Sequence, residues 1–329
     1  MHFAVYLPLV VPVLAALAAR PLADRLPPAA ATWLLAASAL VLALASSAVL
    51  GMLALSALVR IPVIDAVAHL SGPVIRSSDA VSVPVAIVAG GLLVMATVAA
   101  CRAVWRRGRA IAAAHRHASS LPGAGQVVVT EDTAADAYTL PGWPCRIVIT
   151  QGMLRALSAG EQGVLLAHER SHARGLHYLF TSAARLAAAA NPLLRPVAAQ
   201  TGYTVERWAD ERAASQAGDR TLAARAIARA ALATSAAPPG RDAAMTALGL
   251  ITQEGERRAD PPGAGLPRAD LHRAGQVPRR VAALLAPPPR LRLLLLAAAI
   301  VLVAVSGAAA LEAARNLHQL IELAQGQPA

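Results

Sequence analysis

The residues best suited to chemistry lie in one short run, where His168, Glu169 and His172 form a His-Glu-x-x-His pattern. On a helix, residues four apart project from the same face, so both imidazoles can reach one metal ion. Glu169 is turned about 100° from His168 around the helix axis, which suits a base beside the ion. Zinc prefers such nitrogen ligands, and a catalytic zinc site leaves one position open for water. The pattern therefore predicts a hydrolytic zinc site, and the competing interpretation is a surface helix with solvated side chains.

A catalytic zinc site needs a third protein ligand, and Glu206 is the best candidate. Glu206 and Asp210 lie four residues apart on a second predicted helix and therefore share a face. We expect Glu206 to complete a site of two histidines and one glutamate, with Asp210 behind the ligands, orienting an imidazole. The competing interpretation is an exposed acid on an Arg-rich helix, with Arg207, Glu211 and Arg212 as its solvated neighbours.

A different ligand pattern is rejected on spacing. Gly175 follows His172 by three residues, as it does in metzincins. The last histidine of that pattern would stand at position 178, which is Tyr178, and His177 comes one residue early. We therefore interpret His177 as a packing or surface residue.

Local signals place the candidate ligands on helices. Ser158 and Glu161 have the spacing of a capping box, which predicts the start of the helix that carries His168. A break is expected at Asn191-Pro192, and Gly218 is a residue type that commonly ends helices. Helices are therefore predicted over about 203–217 and 221–235.

Short strands are expected before these helices. The runs 127–130 and 146–150 are rich in β-branched residues and are short enough to be strands. Between them, Leu140-Pro141-Gly142 marks a turn. We therefore predict a small antiparallel sheet.

The chain as a whole is too apolar for a typical soluble enzyme. Of its 329 residues 56% are hydrophobic and 15% are charged, whereas soluble domains are nearer a quarter charged. Charge-free stretches compatible with transmembrane helices, which need about 20 apolar residues, run over about 3–19, 29–59, 81–101 and 293–311. The fold class predicted is mostly α, with four transmembrane helices and a cytoplasmic α+β zinc-metallopeptidase domain.

Other interpretations of the apolar stretches are less favoured. The first could be a cleaved signal peptide, but it lacks the basic start of such a peptide. The other three could be core helices, which seldom run so long without a charge. Cys101 and Cys145 fit no metal or disulfide spacing, so no disulfide framework is implied.

The positions of arginine predict the orientation of the spans. All 30 basic residues are Arg, and the net charge is +11. Because Arg clusters follow the third span and precede the fourth, the positive-inside rule places residues 102–292 in the cytoplasm of a multi-pass cell-membrane protein with its N-terminus outside. Arginines beside membrane ends favour contact with anionic lipid head groups over direct nucleic-acid binding.

The cytoplasmic part is expected to have two sections. We predict the peptidase domain over 102–235 and a loose linker rich in Pro, Gly and Arg over 236–292. Residues 312–329 would form a short extracellular tail.

Taken together, these residues resemble the gluzincin membrane peptidases that carry the third ligand in a Glu-x-x-Ala-Asp motif. The likeness runs from about Ala135 to Ala217, and 280–284 also resembles a segment that these families carry before their last span. The segments that carry this resemblance are 137–142, 147–150, the His-Glu-x-x-His helix, Asn191-Pro192 and 206–210. Three spans before the soluble part and one after it favour the β-lactam-sensor (BlaR/MecR-type) family over the CAAX-prenyl-protease and heat-shock membrane protease family. Those sensors carry a large extracellular penicillin-binding domain, and we expect this chain to lack one.

The resemblance implies a zinc metalloendopeptidase. We expect His168, His172 and Glu206 to hold Zn2+, and Glu169 to take a proton from the activated water and give it to the leaving amine. The resemblance also implies that the strand near 147–150 pairs with an extended peptide.

Several partners and roles follow from the same resemblance. The expected partners are the lipid bilayer and a protein or peptide substrate, for which a winged-helix transcriptional repressor in signal transduction is one candidate. The alternatives are quality control of membrane proteins and a non-catalytic membrane scaffold with a vestigial zinc site.

Overall fold

The computed structural model describes residues 7–58, 83–123, 125–142, 145–236 and 275–326. The predictions for residues 3–6, 59, 81–82, 237–274 and 327–329 lie outside these ranges. Within them the chain is mainly helical, with one small sheet. The elements are α1 (Leu7–Arg25), α2 (Pro28–Leu58), α3 (Val83–Ser120), β1 (Val127–Thr130), β2 (Ala137–Leu140), β3 (Arg146–Thr150), α4 (Gln151–Ala156), α5 (Ala159–Gly175), α6 (His177–Ala190), a 3-10 turn (Pro192–Leu194), α7 (Arg195–Ala217), α8 (Arg220–Ala236), α9 (Gln276–Leu285) and α10 (Leu293–Gly326).

Within the described ranges, four helices are long and apolar enough to cross a membrane, namely Leu7–Arg25, Pro28–Leu55, Val83–Ser120 and Leu293–Glu312. They coincide with the four predicted spans, although α1 continues past Ala19 to Arg25. Pro27 and Pro28 separate α1 from α2, since the residue before a proline disfavours the helical conformation and proline suits a helix start. The third span continues past its predicted end at 101 as one helix, α3, which ends at Ser120. The fourth continues beyond the predicted end at 311, and the residues expected to form a tail are helical up to Gly326.

The membrane-type helices share a hydrophobic core with the two helices that follow the His-Glu-x-x-His run. Leu26, directly after α1, and Leu42 of α2 are fully buried together with Leu194 and Val197 beside the start of α7. Polar contacts reinforce this packing, because Thr32 Oγ1 lies 3.0 Å from Thr204 Oγ1. Helix α7, which carries Glu206, is therefore packed directly against apolar helices.

The sheet has the strand order β1-β3-β2. The predicted strands 127–130 and 146–150 form, but they pair in parallel, with Val127 opposite Ile147. The prediction of an antiparallel sheet is therefore wrong for this pair. The reason is a third strand between them in sequence, β2, which pairs antiparallel with the other side of β3. As a result β3 is central, and β2 has an edge that pairs with no other strand in the part of the chain that the structure describes.

This order also corrects the expected peptide-binding edge. The strand near 147–150 is hydrogen-bonded on both sides and has all five of its residues, 146–150, buried. A central strand has no free backbone groups with which to receive a peptide. The available edge next to the helices is that of β2.

The predicted helix signals hold in the structure. Ser158 and Glu161 form the capping box at the start of α5. Gly218 adopts φ +69°, a left-handed conformation that suits glycine, and ends α7. That helix begins at Arg195, earlier than the predicted start near 203, because Asn191 caps a 3-10 turn that leads directly into it.

The predicted loose linker contains an ordered helix. Helix α9, Gln276–Leu285, lies within the stretch 236–292 and packs its buried Leu284 against α5, α7 and α8. Arg220 fixes its end by donating to the backbone oxygens of Ala283, Leu284 and Ala286. The Pro and Gly content of the flanking sequence concealed this helix.

Candidate metal centre

Helix α5 carries the first two candidate ligands on one face. His168 and His172 are one turn apart, and their Nε2 atoms lie 3.1 Å from each other. His168 and Glu169 are each only 7% exposed, which is unusual for such polar residues unless they have partners. The helix is anchored by its capping box, so that its ligand face has a fixed start.

Helix α7 brings a carboxylate to both imidazoles. Glu206 Oε2 lies 3.5 Å from His168 Nε2, and Glu206 Oε1 lies 3.6 Å from His172 Nε2. One ligand atom from each of the three residues lies within 4.8 Å of the others. Two imidazole nitrogens and one carboxylate oxygen are a donor set that zinc takes in catalytic sites. The residues present therefore fit a zinc ion.

Asp210 lies behind the ligands, one turn beyond Glu206. Its Oδ1 is 3.0 Å from His168 Nδ1, the nitrogen on the far side of the ring from the cluster. A carboxylate in this place keeps the proton on Nδ1 and leaves Nε2 free to bind metal. The predicted role of Asp210 in orienting an imidazole agrees with this geometry.

Arg280 of α9 joins the cluster from a third helix. It makes a two-pronged contact with Asp210, from Nε to Oδ2 at 2.8 Å and from Nη2 to Oδ1 at 2.7 Å. Its Nη1 lies 3.1 Å from Glu206 Oε2. Sequence reasoning did not assign this residue to the site. The available signal was the likeness of 280–284 to a segment of known membrane peptidases.

His177 lies beside the candidate ligands as a packing residue, one of the two roles predicted for it. Its Nδ1 lies 3.1 Å from His172 Nδ1, and its side chain is buried. The ring also packs against Trp208, with centroids 4.7 Å apart. Its position depends on a tight connection between α5 and α6, where Leu176 adopts φ 47° and ψ 42°.

Glu169 projects beside the three ligands toward strand β2. Thr139 Oγ1 donates to Glu169 Oε2 at 2.8 Å and lies 3.0 Å from the backbone oxygen of the same residue. Burial raises the pKa of Glu169 above its ordinary value, although His168 and the Thr139 hydrogen bond oppose this shift. A carboxyl group that holds a proton more readily is suited to proton transfer near neutral pH.

The carboxylates in the cluster are held as anions. Burial opposes ionisation of Glu206, but interactions with His172, Arg280 and His168 keep its pKa well below the usual range. Burial likewise opposes ionisation of Asp210, but Arg280 and His168 lower its pKa. Arg280 and His168 thus supply the positive charges that stabilise these two buried anions.

The two ligand imidazoles respond differently to these charges. Burial lowers the pKa of His168, but contacts with Asp210 and Glu206 outweigh it and raise the pKa to about 10. Burial lowers the pKa of His172 to about 4, with Glu206 only partly opposing the shift. Burial and the neighbouring His172 lower the pKa of His177 to about 3. A metal ion that binds here therefore displaces a proton from His168.

An open cleft gives access to the cluster. The free edge of β2, with Tyr138 and Thr139, lies on one side, and apolar residues of α8 such as Ile227 lie on the other. His168 and Glu169 also line this cleft. The cleft could therefore receive an extended chain beside the candidate ligands.

The segment that contains this cluster matches a known family. The sequence profile of peptidase family M48 covers residues 102–287, which is more than half of the chain. This chain belongs to peptidase family M48. The matched segment includes every residue of the cluster, from Thr139 to Arg280. No curated protein and no solved structure shows a significant match.

Family membership makes this M48 protein a metallopeptidase of the gluzincin type. M48 metallopeptidases are typically zinc-dependent, which agrees with the donor set of His168, His172 and Glu206. The match does not distinguish the β-lactam-sensor type, and that finer assignment stays a prediction.

Proposed function

We propose that this M48 peptidase is a membrane-embedded zinc metalloendopeptidase that cleaves cytoplasmic or membrane-associated proteins. The proposal rests on the position of Glu206, whose carboxylate lies within 3.6 Å of both imidazoles of the His-Glu-x-x-His helix. Glu169 lines the same cleft. A vestigial scaffold would have no need for a base beside a complete set of ligands.

His168, His172 and Glu206 are the residues that would hold zinc. When bound, zinc supplies Lewis acidity, which activates a water molecule and polarises the scissile carbonyl. Asp210 keeps His168 in the tautomer with a free Nε2. Arg280 holds Asp210 and Glu206 in place as anions through its contacts with both.

Glu169 is the general base and general acid of the reaction. Its carboxylate takes a proton from the attacking water and later delivers it to the nitrogen of the leaving amine. The hydrogen bond from Thr139 holds Glu169 Oε2 in place. Because the two carboxylate oxygens are rigidly connected, the same hydrogen bond also fixes the orientation of Oε1. Burial raises the pKa of Glu169, and this makes the carboxyl a better proton carrier between the two steps.

The free edge of β2 is the proposed docking site for the substrate backbone. An extended peptide can add a strand to an exposed sheet edge through main-chain hydrogen bonds. The edge begins at Ala137 and passes Thr139, which already contacts Glu169. A peptide in this position would pass its backbone across the general base.

The test of catalysis compares Glu169→Gln with Glu131→Gln, a matched change at an exposed residue. Both full-length variants should bind zinc like the parent. The first should lose peptide cleavage by roughly 10²–10⁴-fold, and the second should cleave normally. Undiminished cleavage by Glu169→Gln would refute the proposed mechanism. Stoichiometric zinc without turnover in the parent on any peptide would favour the scaffold.

We further propose that the catalytic segment faces the cytoplasm. Arg102, Arg106 and Arg109 are exposed along α3 where its apolar half ends, and the positive-inside rule places such clusters in the cytoplasm. Cys145 is partly exposed and gives a probe of this orientation once Cys101→Ser removes the other thiol. A membrane-impermeant thiol reagent should label inverted vesicles and leave intact cells unlabelled. Labelling of intact cells would reverse the orientation.

The proposed substrates are proteins, and two candidates are a winged-helix repressor and misfolded membrane proteins. A strain that lacks this peptidase would accumulate a different protein in each case. An intact repressor would favour signal transduction, whereas stabilised membrane proteins would favour quality control.

A further inference from the structure

His168 has a carboxylate at its Nδ1, whereas among the described residues the partner of His172 Nδ1 is a histidine. His172 directs Nε2 toward the ligand cluster, 3.6 Å from Glu206, and directs Nδ1 toward His177 Nδ1 at 3.1 Å. A neutral imidazole has one N–H. When Nε2 gives its lone pair to a metal, the proton must lie on Nδ1 and must be donated to His177.

His177 can accept this hydrogen bond in only one tautomer. Its Nδ1 must be unprotonated, which places its own proton on Nε2. That nitrogen is buried and has no hydrogen-bond partner among the described residues. An unsatisfied buried donor is destabilising, so a residue that only filled space would be more stable as leucine.

The backbone next to His177 is strained in a way that places this ring. Among the described residues, Leu176 is the one non-glycine residue with a positive φ. Such a conformation is unfavourable for a branched side chain and persists where the surroundings require it. Here it reverses the chain so that His177 returns to His172 after only five residues.

Two neighbours lock the ring in its orientation. Trp208 packs on one side, with an interplanar angle of 40°. On another side lies Gly175, where a Cβ atom would stand 2.4 Å from His177 Nε2. Only glycine therefore leaves room for this ring.

The support for His177 continues to a membrane-type helix. Trp208 contacts Phe180, and Phe180 packs edge-on against Trp33 of α2, with centroids 4.7 Å apart. The chain has only 2 Phe, 4 Trp and 4 Tyr. Three of these ten aromatic residues thus stand in a line behind His177.

We propose that His177 is a positioning residue that accepts the Nδ1–H of His172 and so fixes the metal-binding tautomer and orientation of that ligand. This inference rests on the proposed zinc site. It assigns to His177 the role that Asp210 has for His168, with a neutral imidazole in place of a carboxylate. Loss of such a partner typically weakens metal binding 10–100-fold.

The first test measures zinc affinity of the full-length protein by competition with a chelator. His177→Leu removes the acceptor and should weaken zinc binding 10–100-fold. His177→Asn offers an amide oxygen near the position of Nδ1 and should restore affinity to within a few-fold of the parent. A leucine variant with parental affinity, or an asparagine variant as weak as the leucine one, would overturn the proposal.

The second test leaves all the ligands and His177 unchanged, in case the leucine variant does not fold. Gly175→Ala should push the His177 ring away and weaken zinc binding, although alanine by itself favours a helix. Gly163→Ala is the matched control on α5, because a Cβ there meets nothing within 4 Å. Gly175→Ala with the affinity of Gly163→Ala would overturn the proposal. Absence of zinc binding by the parent would instead refute the proposed function.

Discussion

The two ligand imidazoles of this M48 peptidase lie in opposite kinds of surroundings. His168 is backed by Asp210, which is in turn held by Arg280. His172 is backed by His177, behind which the aromatic rings lead to Trp33 of an apolar helix. We refer to these as the charged side and the aromatic side of the metal centre.

The charged side and the aromatic side depend on different parts of the fold. The charged side depends on α9, which is about 70 residues away from α7 in the sequence, and a buried ion pair there must be complete to be tolerated. The aromatic side depends on a local chain reversal after α5 and on contact with α2. Loss of a partner should therefore be more costly on the charged side.

The largest effect is expected from Arg280→Leu. Asp210 and Glu206 would remain buried without their cation, which typically costs about 3–5 kcal/mol. Thermal unfolding in detergent should show a large loss of Tm, and added zinc should recover more Tm than it adds to the parent, because it replaces the missing charge. Arg279→Leu is the control, since its partner Asp24 is 39% exposed. Equal losses in the two variants would remove the distinction between the sides.

The charged side also predicts how zinc affinity changes with pH. The pKa of His168 is raised to about 10, so without metal this histidine keeps its proton up to that pH. Zinc must displace the proton, and affinity should rise about tenfold per pH unit from pH 7 to 9. The stability of the metal-free fold changes with pH in the opposite direction. The raised pKa of His168 stabilises the fold fully below the ordinary pKa of 6.5, and this contribution is lost as the pH rises through about 10. Flat affinity over pH 7–9 would contradict the raised pKa.

The smallest effect is expected on the aromatic side, from Phe180→Leu. Breaking the two edge-to-face contacts of Phe180, with Trp33 and Trp208, should cost about 0.5–1.5 kcal/mol each beyond lost area. Zinc affinity should fall by only a few-fold, because His177 and Trp208 remain. Leu179→Ala, at an exposed neighbouring residue, controls for general changes in α6. A loss of affinity as great as that of His177→Leu would mean that the rings act as one unit.

The parts of the site that the sequence predicted are those fixed by local periodicity. His168, Glu169 and His172 follow from helical spacing, and the capping box fixes where their helix starts. Glu206 and Asp210 were predicted because they too share a helix face. Once α5 and α7 pack against each other, Glu206 and Asp210 come into contact with the histidines of α5.

The parts that were missed depend on long-range packing. Arg280 lies in a helix of ten residues inside a Pro- and Gly-rich stretch, and tertiary contacts with α7 and α8 hold it. Strand β2 is only four residues long, and its pairing with β3 forces β1 to the other side. His177 is local in sequence, but its role depends on the left-handed Leu176, which no residue preference predicts.

Helices α5 and α7 are proposed to bind one metal ion between them. The zinc content of the Glu206→Ala variant is a direct measurement of this binding. Glu211→Ala is the control on the same helix, since Glu211 pairs with Arg220 outside the cluster. After purification and dialysis, the parent and Glu211→Ala should each retain about one zinc per chain, and Glu206→Ala should retain little. A full complement of zinc in folded Glu206→Ala would contradict the claim.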